Sequence, residues 1–422
     1  MKPQRLLIAG AAAALLLTCF LTCYFLLGGR EGRLKLPAGH HAPMISLGAS
    51  HGLVLAPDGS MWSWGGQDSG WPVLGLGKTN LAASLVRIGS QTDWAYVSAG
   101  EDHNLVLKLD GTVWAWGANY RGQLGDGNRG TKLTNSLPNF QDRPVHTVAG
   151  SDWVKVEAGF VASYGLKRNG SLWAWGLNNF CQLGIGSWID SPKPVQVGTA
   201  TNWVKIRAGL VSVAGIQSDG SLWIWGGSPK LGNTAPRSPE NLLVPTRITA
   251  DTNWIDVSVG LNIWLAVKSD GTLWAWGRNA YILTGAAQDA CEIPTQIGHD
   301  TDWQSVCCSK GSLGHLLRKR DGTFWRIVNP SENNPRPVKN RVALPPDIVT
   351  WGAGGGAVAA ITQDGEVWTC GAILGQHGPK YRFLQFVEEL CWRLGWKVHW
   401  QFDRPRIVRE QPWQLRNIDS RD

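Results

Sequence analysis

The chain has 422 residues, of which 25 are tryptophan and 52 are glycine, while only 17% are charged. A hydrophobic content of 43% excludes a disordered chain, and the length is sufficient to bury a large core. The formal net charge of +8 is modest for this length, so it does not by itself require a nucleic-acid partner, and none is expected.

The N-terminus, residues 1–28, predicts a membrane anchor. Residues 6–27 carry no charge and are long enough, as a helix, to cross a hydrocarbon core of about 30 Å. Lys2 and Arg5 precede this run, as in a signal peptide, but it is long for one and no small-x-small cleavage site follows. An uncleaved anchor is therefore favoured over a cleaved signal. Flanking positive charges are nearly balanced, so orientation rests on short N-terminal tails staying inside, which predicts an exported domain.

Beyond a short basic linker, residues 29–41, the chain repeats itself. Each repeat has Asp-Gly or Asn-Gly followed two residues later by an apolar residue and tryptophan. The seven copies are DGSMWSWG from Asp58, DGTVWAWG from Asp110, NGSLWAWG from Asn169, DGSLWIWG from Asp219, DGTLWAWG from Asp270, DGTFWRIV from Asp321 and DGEVWTCG from Asp364.

The local chemistry of a repeat predicts strands. Asp110-Gly111 lies between two alternating apolar runs, which indicates a tight type I′ hairpin. Trp114 and Trp116 are two residues apart, so they should share one face of their strand. A second element, centred on Trp94 in this unit, precedes most copies, and a third such as RPVHTV follows them.

Each unit therefore offers four short strands. In the second unit these are strand a around Trp94, strand b at Leu105–Leu109, strand c at Thr112–Gly117 and strand d at Pro144–Val148. Seven such units favour an all-β fold, a seven-bladed β-propeller whose tryptophans fill the gaps between blades. A solenoid is the alternative, but no capping repeats are evident.

The repeat resembles that of the regulator-of-chromosome-condensation family. Residues 99–127, AGEDHNLVLKLDGTVWAWGANYRGQLGDG, match its hallmark nearly throughout, and residues 158–186 match again. The resemblance implies a seven-bladed propeller, here in a membrane-anchored member. The family includes a nuclear guanine-nucleotide exchange factor and a secreted β-lactamase inhibitor protein, so the fold alone does not fix the function. No counterpart of the exchange factor's catalytic wedge is recognisable.

The propeller is predicted to occupy residues 42–410. Residues 381–398 predict an amphipathic helix inserted in the last blade, with a position on the membrane surface as the alternative. PRIVR at 405–409 is predicted to complete that blade as its fourth strand, and residues 411–422 form a polar tail.

No catalytic motif, cofactor fingerprint or metal-ligand pattern stands out, so no enzyme activity, catalytic residue, cofactor or metal is expected. The a–b and c–d connections must share one face of an antiparallel propeller, and the c–d connections are long and differ in every unit. Exposed aromatic and arginine side chains there are the candidate anchors for a partner. They are Trp71, Tyr120, Arg121, Phe180, Trp188, Arg278, Tyr281, Trp392, Trp396 and Trp400.

These observations favour a non-catalytic protein-interaction propeller that is tethered to a membrane through residues 6–27, with the propeller on the extracytoplasmic side. Its partner is an unknown protein. The alternatives are a guanine-nucleotide exchange or other regulatory factor, by family analogy, and a glycan-binding module that uses exposed tryptophans.

Overall fold

The computed structural model describes residues 35–371, except 67–69, 78–80, 130–139, 231–234, 279, 285–290, 309–314, 329–337, 343, 346 and 355–356. The described residues form seven antiparallel sheets with the strands of each sheet in chain order. Six sheets have four strands, and the seventh has three among the described residues.

Each sheet corresponds to one predicted repeat and is called a blade. Blades 1 to 3 are β1 (Met44–Leu47), β2 (His51–Leu55), β3 (Met61–Gly65) and β4 (Ala82–Arg87); β5 (Trp94–Ala99), β6 (His103–Lys108), β7 (Val113–Ala118) and β8 (Phe140–Val148); and β9 (Trp153–Ala158), β10 (Ala162–Lys167), β11 (Leu172–Gly176) and β12 (Ser191–Gln196). Blades 4 and 5 are β13 (Trp203–Ala208), β14 (Ser212–Gln217), β15 (Leu222–Gly226) and β16 (Leu242–Arg247), then β17 (Trp254–Val259), β18 (Trp264–Lys268), β19 (Leu273–Gly277) and β20 (Cys291–Gln296). Blades 6 and 7 are β21 (Trp303–Cys307), β22 (His315–Lys319), β23 (Phe324–Val328) and β24 (Val338–Val342), then β25 (Ile348–Gly354), β26 (Ala357–Thr362) and β27 (Val367–Gly371).

The blades form a closed ring. Strand a of each of the first five blades contacts the next blade, and strand b of blade 6 contacts strand a of blade 7. The ring closes because β1 of blade 1 contacts β25 and β26 of blade 7. The predicted all-β, seven-bladed propeller is confirmed.

Helix is almost absent from the described part of the chain. It contains one short helix, α1 (Tyr281–Thr284), and none of its helices has the length and apolar character needed to cross a membrane. The predicted anchor at 1–28, the helical insertion at 381–398, the strand at 405–409 and the tail at 411–422 lie outside the described residues.

The b–c hairpins differ from the expected type I′ turn. In blade 2 the amide of Gly111 donates to the carbonyl of Lys108, and Gly111 has φ of 79°, whereas Asp110 is not in the positive-φ region. A type I turn followed by a left-handed glycine has this pattern, so the prediction of the turn type was wrong. Asp110 Oδ1 instead accepts from the Thr112 amide and hydroxyl at 2.9 and 2.6 Å. The Asp-Gly signal is therefore an Asx turn with a glycine bulge.

The core lies between the blades, as the tryptophan pattern predicts. Trp175 of blade 3 is fully buried and packs edge-on to Trp153 at 6.1 Å, together with Leu105 and Leu107 of blade 2. Trp173 packs against the same Trp153 ring at 6.2 Å, so both c-strand tryptophans do share one face. Each large aromatic buried this way contributes about 2–3 kcal/mol.

Candidate functional site

The first half of a c–d connection is a rigid loop. In blade 2 the side chain of Asn119 accepts from the Leu124 amide at 3.1 Å, and the side chain of Gln123 accepts from the Arg121 amide at 2.8 Å. Blade 3 repeats both bonds, with Asn178 accepting from Leu183 and Gln182 accepting from Phe180. The Asn and Gln of the repeat therefore serve to fold these loops.

The indole groups of the next blade hold the same loops in place. Trp116 Nε1 donates to the Val73 carbonyl at 2.8 Å, Trp175 Nε1 to Gln123 at 3.0 Å, and Trp225 Nε1 to Gln182 at 2.9 Å. Each bond joins strand c of one blade to the c–d loop of the blade before it. A fixed loop presents its surface side chains without an ordering cost, which favours binding.

The propeller consequently has two faces of different character. The hairpin face carries the Asp-Gly turns and the d–a connections, and the long-loop face carries the a–b turns and the c–d loops. Strand a of blade 1 begins on the hairpin face. The amide of Leu36 donates to Gly365 in the last b–c hairpin at 3.0 Å, so the N-terminal segment reaches the ring on that face.

An aromatic patch lies on the long-loop face where blades 1 and 2 meet. The rings of Trp71 and Tyr120, from two successive c–d loops, stack with centroids 5.5 Å apart and an interplanar angle of 25°. Both side chains are partly exposed. Burial and the nearby carboxylates of Asp102 and Glu101 raise the pKa of Tyr120 to about 12. The patch is thus an aromatic stack with an acidic border.

Two arginines contact Asp190, and one of them, Arg121, directly follows Tyr120 in the chain. Arg121 Nη1 lies 3.5 Å from a carboxylate oxygen of Asp190 in blade 3, and half of the Arg121 side chain is exposed. Arg129 donates to the Asp190 backbone carbonyl at 2.6 Å. Both arginine side chains are exposed and therefore accessible to a partner, and surface contacts of this kind contribute little to stability.

The remaining predicted anchors fall into three groups. Phe180 is only 8% exposed and packs into its loop, which argues against a role as an exposed anchor. Arg278 is exposed, Trp188 is partly buried, and Tyr281 begins α1, although its side chain is not among the described ones. Trp392, Trp396 and Trp400 lie outside the described residues. The structure thus brings together Trp71, Tyr120 and Arg121.

The hairpin face carries a feature that sequence reasoning missed. Lys268 Nζ lies 4.7 Å from the Trp254 ring and 4.0 Å from the Trp274 ring, and it pairs with Asp251 at 3.0 Å. Lysines at the same position in three other blades make the same cage, a cation between two tryptophans. Those lysines are Lys108, Lys167 and Lys319. The signal available in the sequence was a lysine two residues before each Asp-Gly or Asn-Gly pair in blades 2, 3, 5 and 6.

The described residues contain no group of three or more His, Cys, Asp or Glu side chains placed to hold a metal ion. Cys181, Cys291, Cys307 and Cys308 form no disulfide bond with one another or with any other described residue. Burial raises the pKa of the Cys181 thiol to about 11, which suppresses its reactivity.

Comparison with known proteins identifies the type of repeat that this chain contains. Models of the regulator of chromosome condensation (RCC1) repeat match residues 94–123, 110–160 and 169–211. The chain is similar to a Protein RCC2 homolog of Danio rerio, 32% identical over 142 residues, which are 33% of this chain and 27% of the relative. It is also similar to the Ultraviolet-B receptor UVR8 of Arabidopsis thaliana, 26% identical over 279 residues, which are 65% of this chain and 62% of the relative. The matches thus span less than two thirds of either relative.

A solved structure has the same fold. The structure of Prp20p from Saccharomyces cerevisiae, described with its binding properties to Gsp1p and histones, has a TM-score of 0.60 and 19% identity, and the match covers 80% of this chain and 82% of that one. At that identity the likeness concerns the fold alone. Fold and loop chemistry define a seven-bladed propeller of tryptophan-rich repeats. The chain carries repeats of the regulator-of-chromosome-condensation family.

Proposed function

We propose that this propeller is a non-catalytic interaction module that binds a protein partner on its long-loop face. The observation that supports this most directly is the stacked and partly exposed pair of Trp71 and Tyr120 on two loops that are fixed by backbone and indole hydrogen bonds. Aromatic side chains on a rigid support are typical centres of protein interfaces.

The border of the patch indicates the chemistry of the partner. Glu101 and Asp102 stand beside Tyr120 and place negative charge next to the aromatic stack. Arg121 lies at the other margin and is partly neutralised by Asp190. A partner that offers an aliphatic or aromatic side chain to the stack and a basic side chain to the carboxylates fits this arrangement.

The test compares variants of the two faces. Trp71→Ala with Tyr120→Ala should reduce capture of the partner, identified first by in-cell cross-linking to the wild-type chain, by at least tenfold. Arg320→Ala is the matched control, because the Arg320 side chain is exposed on the hairpin face and its guanidinium group donates to the Ser269 carbonyl at 2.6 Å. Unchanged thermal unfolding shows that the fold survives. Loss of capture in the Arg320 variant alone would contradict the proposal, because it would show that the partner binds the hairpin face and not the long-loop face.

The module is tethered, in this proposal, to a membrane through residues 6–27, with the propeller on the extracytoplasmic side. The apolar run and the approach of Leu36 on the hairpin face support this, because the long-loop face then points away from the bilayer. A compartment reporter fused after Asp422 tests the orientation, and carbonate extraction tests the tether. A cytosolic reporter or full release into the soluble fraction would contradict the respective claim.

Nucleotide exchange is the second candidate, since the relative of known fold is described as binding Gsp1p. We expect no exchange activity from this chain, because no counterpart of the catalytic wedge is recognisable in its sequence. Release of labelled nucleotide from small GTPases, with and without the full-length chain, measures it. Strong acceleration with any of them would replace the interaction proposal by a regulatory one.

A further inference from the structure

The central channel of the ring has a charged wall on one side. In strand a of blade 3, Trp153, Val156 and Ala158 are buried against blade 2, and the alternate residues Lys155 and Glu157 are partly buried on the opposite face of the strand. The a strands of successive blades contact one another, so strand a is the inner strand of its blade and these residues lie beside the central channel. The same register in the neighbouring strands places two side chains per blade in the channel. These residues are Tyr96 and Ser98 in blade 2, Lys205 and Arg207 in blade 4, Asp256 and Ser258 in blade 5, and Ser305 and Cys307 in blade 6.

Hydrogen bonds from two of these side chains join neighbouring inner strands. Ser98 Oγ accepts from the Ala158 amide of the next blade at 2.9 Å, and Ser258 Oγ accepts from the Cys308 amide at 2.9 Å. Burial, and after it the carboxylate of Glu157 in blade 3, raises the pKa of Tyr96 in blade 2 to about 12, whereas Arg207 in blade 4 lowers it. Side chains from blades 2, 3 and 4 therefore lie near one another around the axis.

Two of the three channel cations already have carboxylate partners. Lys205 Nζ lies 2.7 Å from Asp256 Oδ1, and the other oxygen of Asp256 accepts from the Val306 amide at 2.9 Å. Arg207 Nη1 lies 3.6 Å from Glu157 Oε2. The buried Asp256 and the partly buried Glu157 are therefore committed to these pairs and to the blade junctions.

Lys155 is the third cation, and no described carboxylate forms an ion pair with it. Among the described residues its ammonium group makes no ion pair or hydrogen bond, although the side chain is largely buried. Burial and the adjacent charges of Arg207 and Lys205 lower the pKa of Lys155 to about 8. The wall thus holds three cations and two carboxylates, which leaves one positive charge without a balancing negative charge. Burial of an unpaired charge is energetically unfavourable.

We propose that the central channel is a binding site for a small free oxyanion, a carboxylate or inorganic phosphate, which pairs with Lys155 beside Lys205 and Arg207. The anion supplies the charge that the wall lacks. Its oxygen atoms accept hydrogen bonds from the ammonium group of Lys155, which is a compact donor with three protons. The site is separate from the long-loop patch and does not depend on the proposed function.

Titration of the full-length chain with phosphate and with acetate, at ionic strength held constant with chloride, tests the proposal. Calorimetry should show one site for each probe in the wild type, and phosphate should raise the midpoint of thermal unfolding. Lys155→Met should weaken both probes by at least tenfold. Lys193→Met, which removes an exposed lysine of the same blade, should leave both affinities unchanged.

Two results would overturn the proposal. In the first, chloride at equal ionic strength raises the unfolding midpoint of the wild type as much as phosphate does. That result would indicate screening of charge and no specific site. The other is equal affinity for phosphate in the Lys155→Met variant. If that variant fails to fold, Lys155→Gln keeps a polar side chain and carries the same expectation.

The pH dependence of acetate binding gives a second readout. Acetate stays anionic between pH 7 and 9.5, whereas Lys155 loses its proton near pH 8, so the affinity should fall as the pH rises through that value. Cys307 also faces the channel and belongs to a residue type that titrates in this window, so a Cys307→Ser background separates the two groups. An affinity that is flat across the window would contradict pairing with Lys155. The other charged groups that act on Lys155 are Glu157, Lys205, Arg207 and Asp256, and Tyr96 lies near Glu157 and Arg207.

Discussion

Blades 2 and 3 meet through a tryptophan, whereas blades 7 and 1 meet through a leucine. Trp153 fills the first junction, and Leu36 takes the corresponding place where the ring closes. Around Trp153 lie Leu105, Leu107, Val113 and Trp175, and around Leu36 lie Ala359, Ile361, Val367 and Trp64. The closing junction thus keeps the arrangement of the regular one with smaller side chains.

The backbone at the two kinds of junction is nevertheless alike. The Trp254 amide donates to the Gly220 carbonyl at 3.2 Å, and the Leu36 amide donates to the Gly365 carbonyl at 3.0 Å. Lys35 also forms an isolated antiparallel bridge with Glu366. The comparison teaches that ring closure depends on a shared backbone contact, while the tryptophan adds packing energy to it.

The largest expected effect is at the regular junction. Trp153→Ala removes a side chain that is 3% exposed, and we expect it to lower the free energy of unfolding by about 3–5 kcal/mol. Denaturant unfolding followed by fluorescence and circular dichroism measures the loss. A loss smaller than that of Leu36→Ala would show that the leucine junction, and not the tryptophan one, dominates stability.

Acid should lower the free energy of unfolding through His315 in blade 6, near the junction that closes the ring. Burial lowers the pKa of His315 to about 4, and neither ring nitrogen has a hydrogen-bond partner among the described residues. By contrast, His103 Nε2 in blade 2 bonds Ser163 Oγ at 2.9 Å. The folded pKa lies below the unfolded one, so stability is full above about pH 6.5 and falls by about 3 kcal/mol toward pH 4.

The His315→Leu variant provides the control for this acid effect. It should remove the dependence between pH 6.5 and 4, as measured by denaturant unfolding at several pH values. An unchanged pH profile in the variant would assign the acid sensitivity to other groups.

Leu36→Ala should cost about 2–3 kcal/mol, less than the tryptophan substitution, because a smaller buried side chain is lost. Hydrogen exchange should then accelerate first at the amide of Leu36 and in β26, while β10 of blade 3 stays protected. Uniform acceleration around the ring would show that the closing junction is not a separate weak point.

The smallest expected effect concerns the lysine cage of a regular blade. Lys167 lies 4.8 Å from both the Trp153 and Trp173 rings and pairs with Asp152 at 3.1 Å. Blade 4 has Gln217 at this position, so Lys167→Gln converts one blade into the form of the other. We expect a loss of about 1 kcal/mol at low salt that shrinks as salt is added. A loss independent of salt would assign the effect to packing of the lysine stem.

The sequence by itself determined the repeats, the strand positions and the propeller. The predicted strand Leu105–Leu109 is observed at His103–Lys108, and the predicted Pro144–Val148 forms the end of β8. These features depend on periodicity and turn residues, which act over a few neighbouring positions. The turn type was predicted wrongly because Asp-Gly is compatible with two hairpin geometries, and only the backbone angles distinguish them.

The tertiary structure decided what lies far apart in the chain. It placed Leu36 beside Gly365, Trp71 beside Tyr120, and the guanidinium group of Arg207 within reach of Tyr96 two blades away. It also buried Phe180, which the sequence marked as a candidate anchor of the same kind as Tyr120. Local patterns cannot specify these neighbours, because each of the three contacts joins different blades and arises only when those blades pack together.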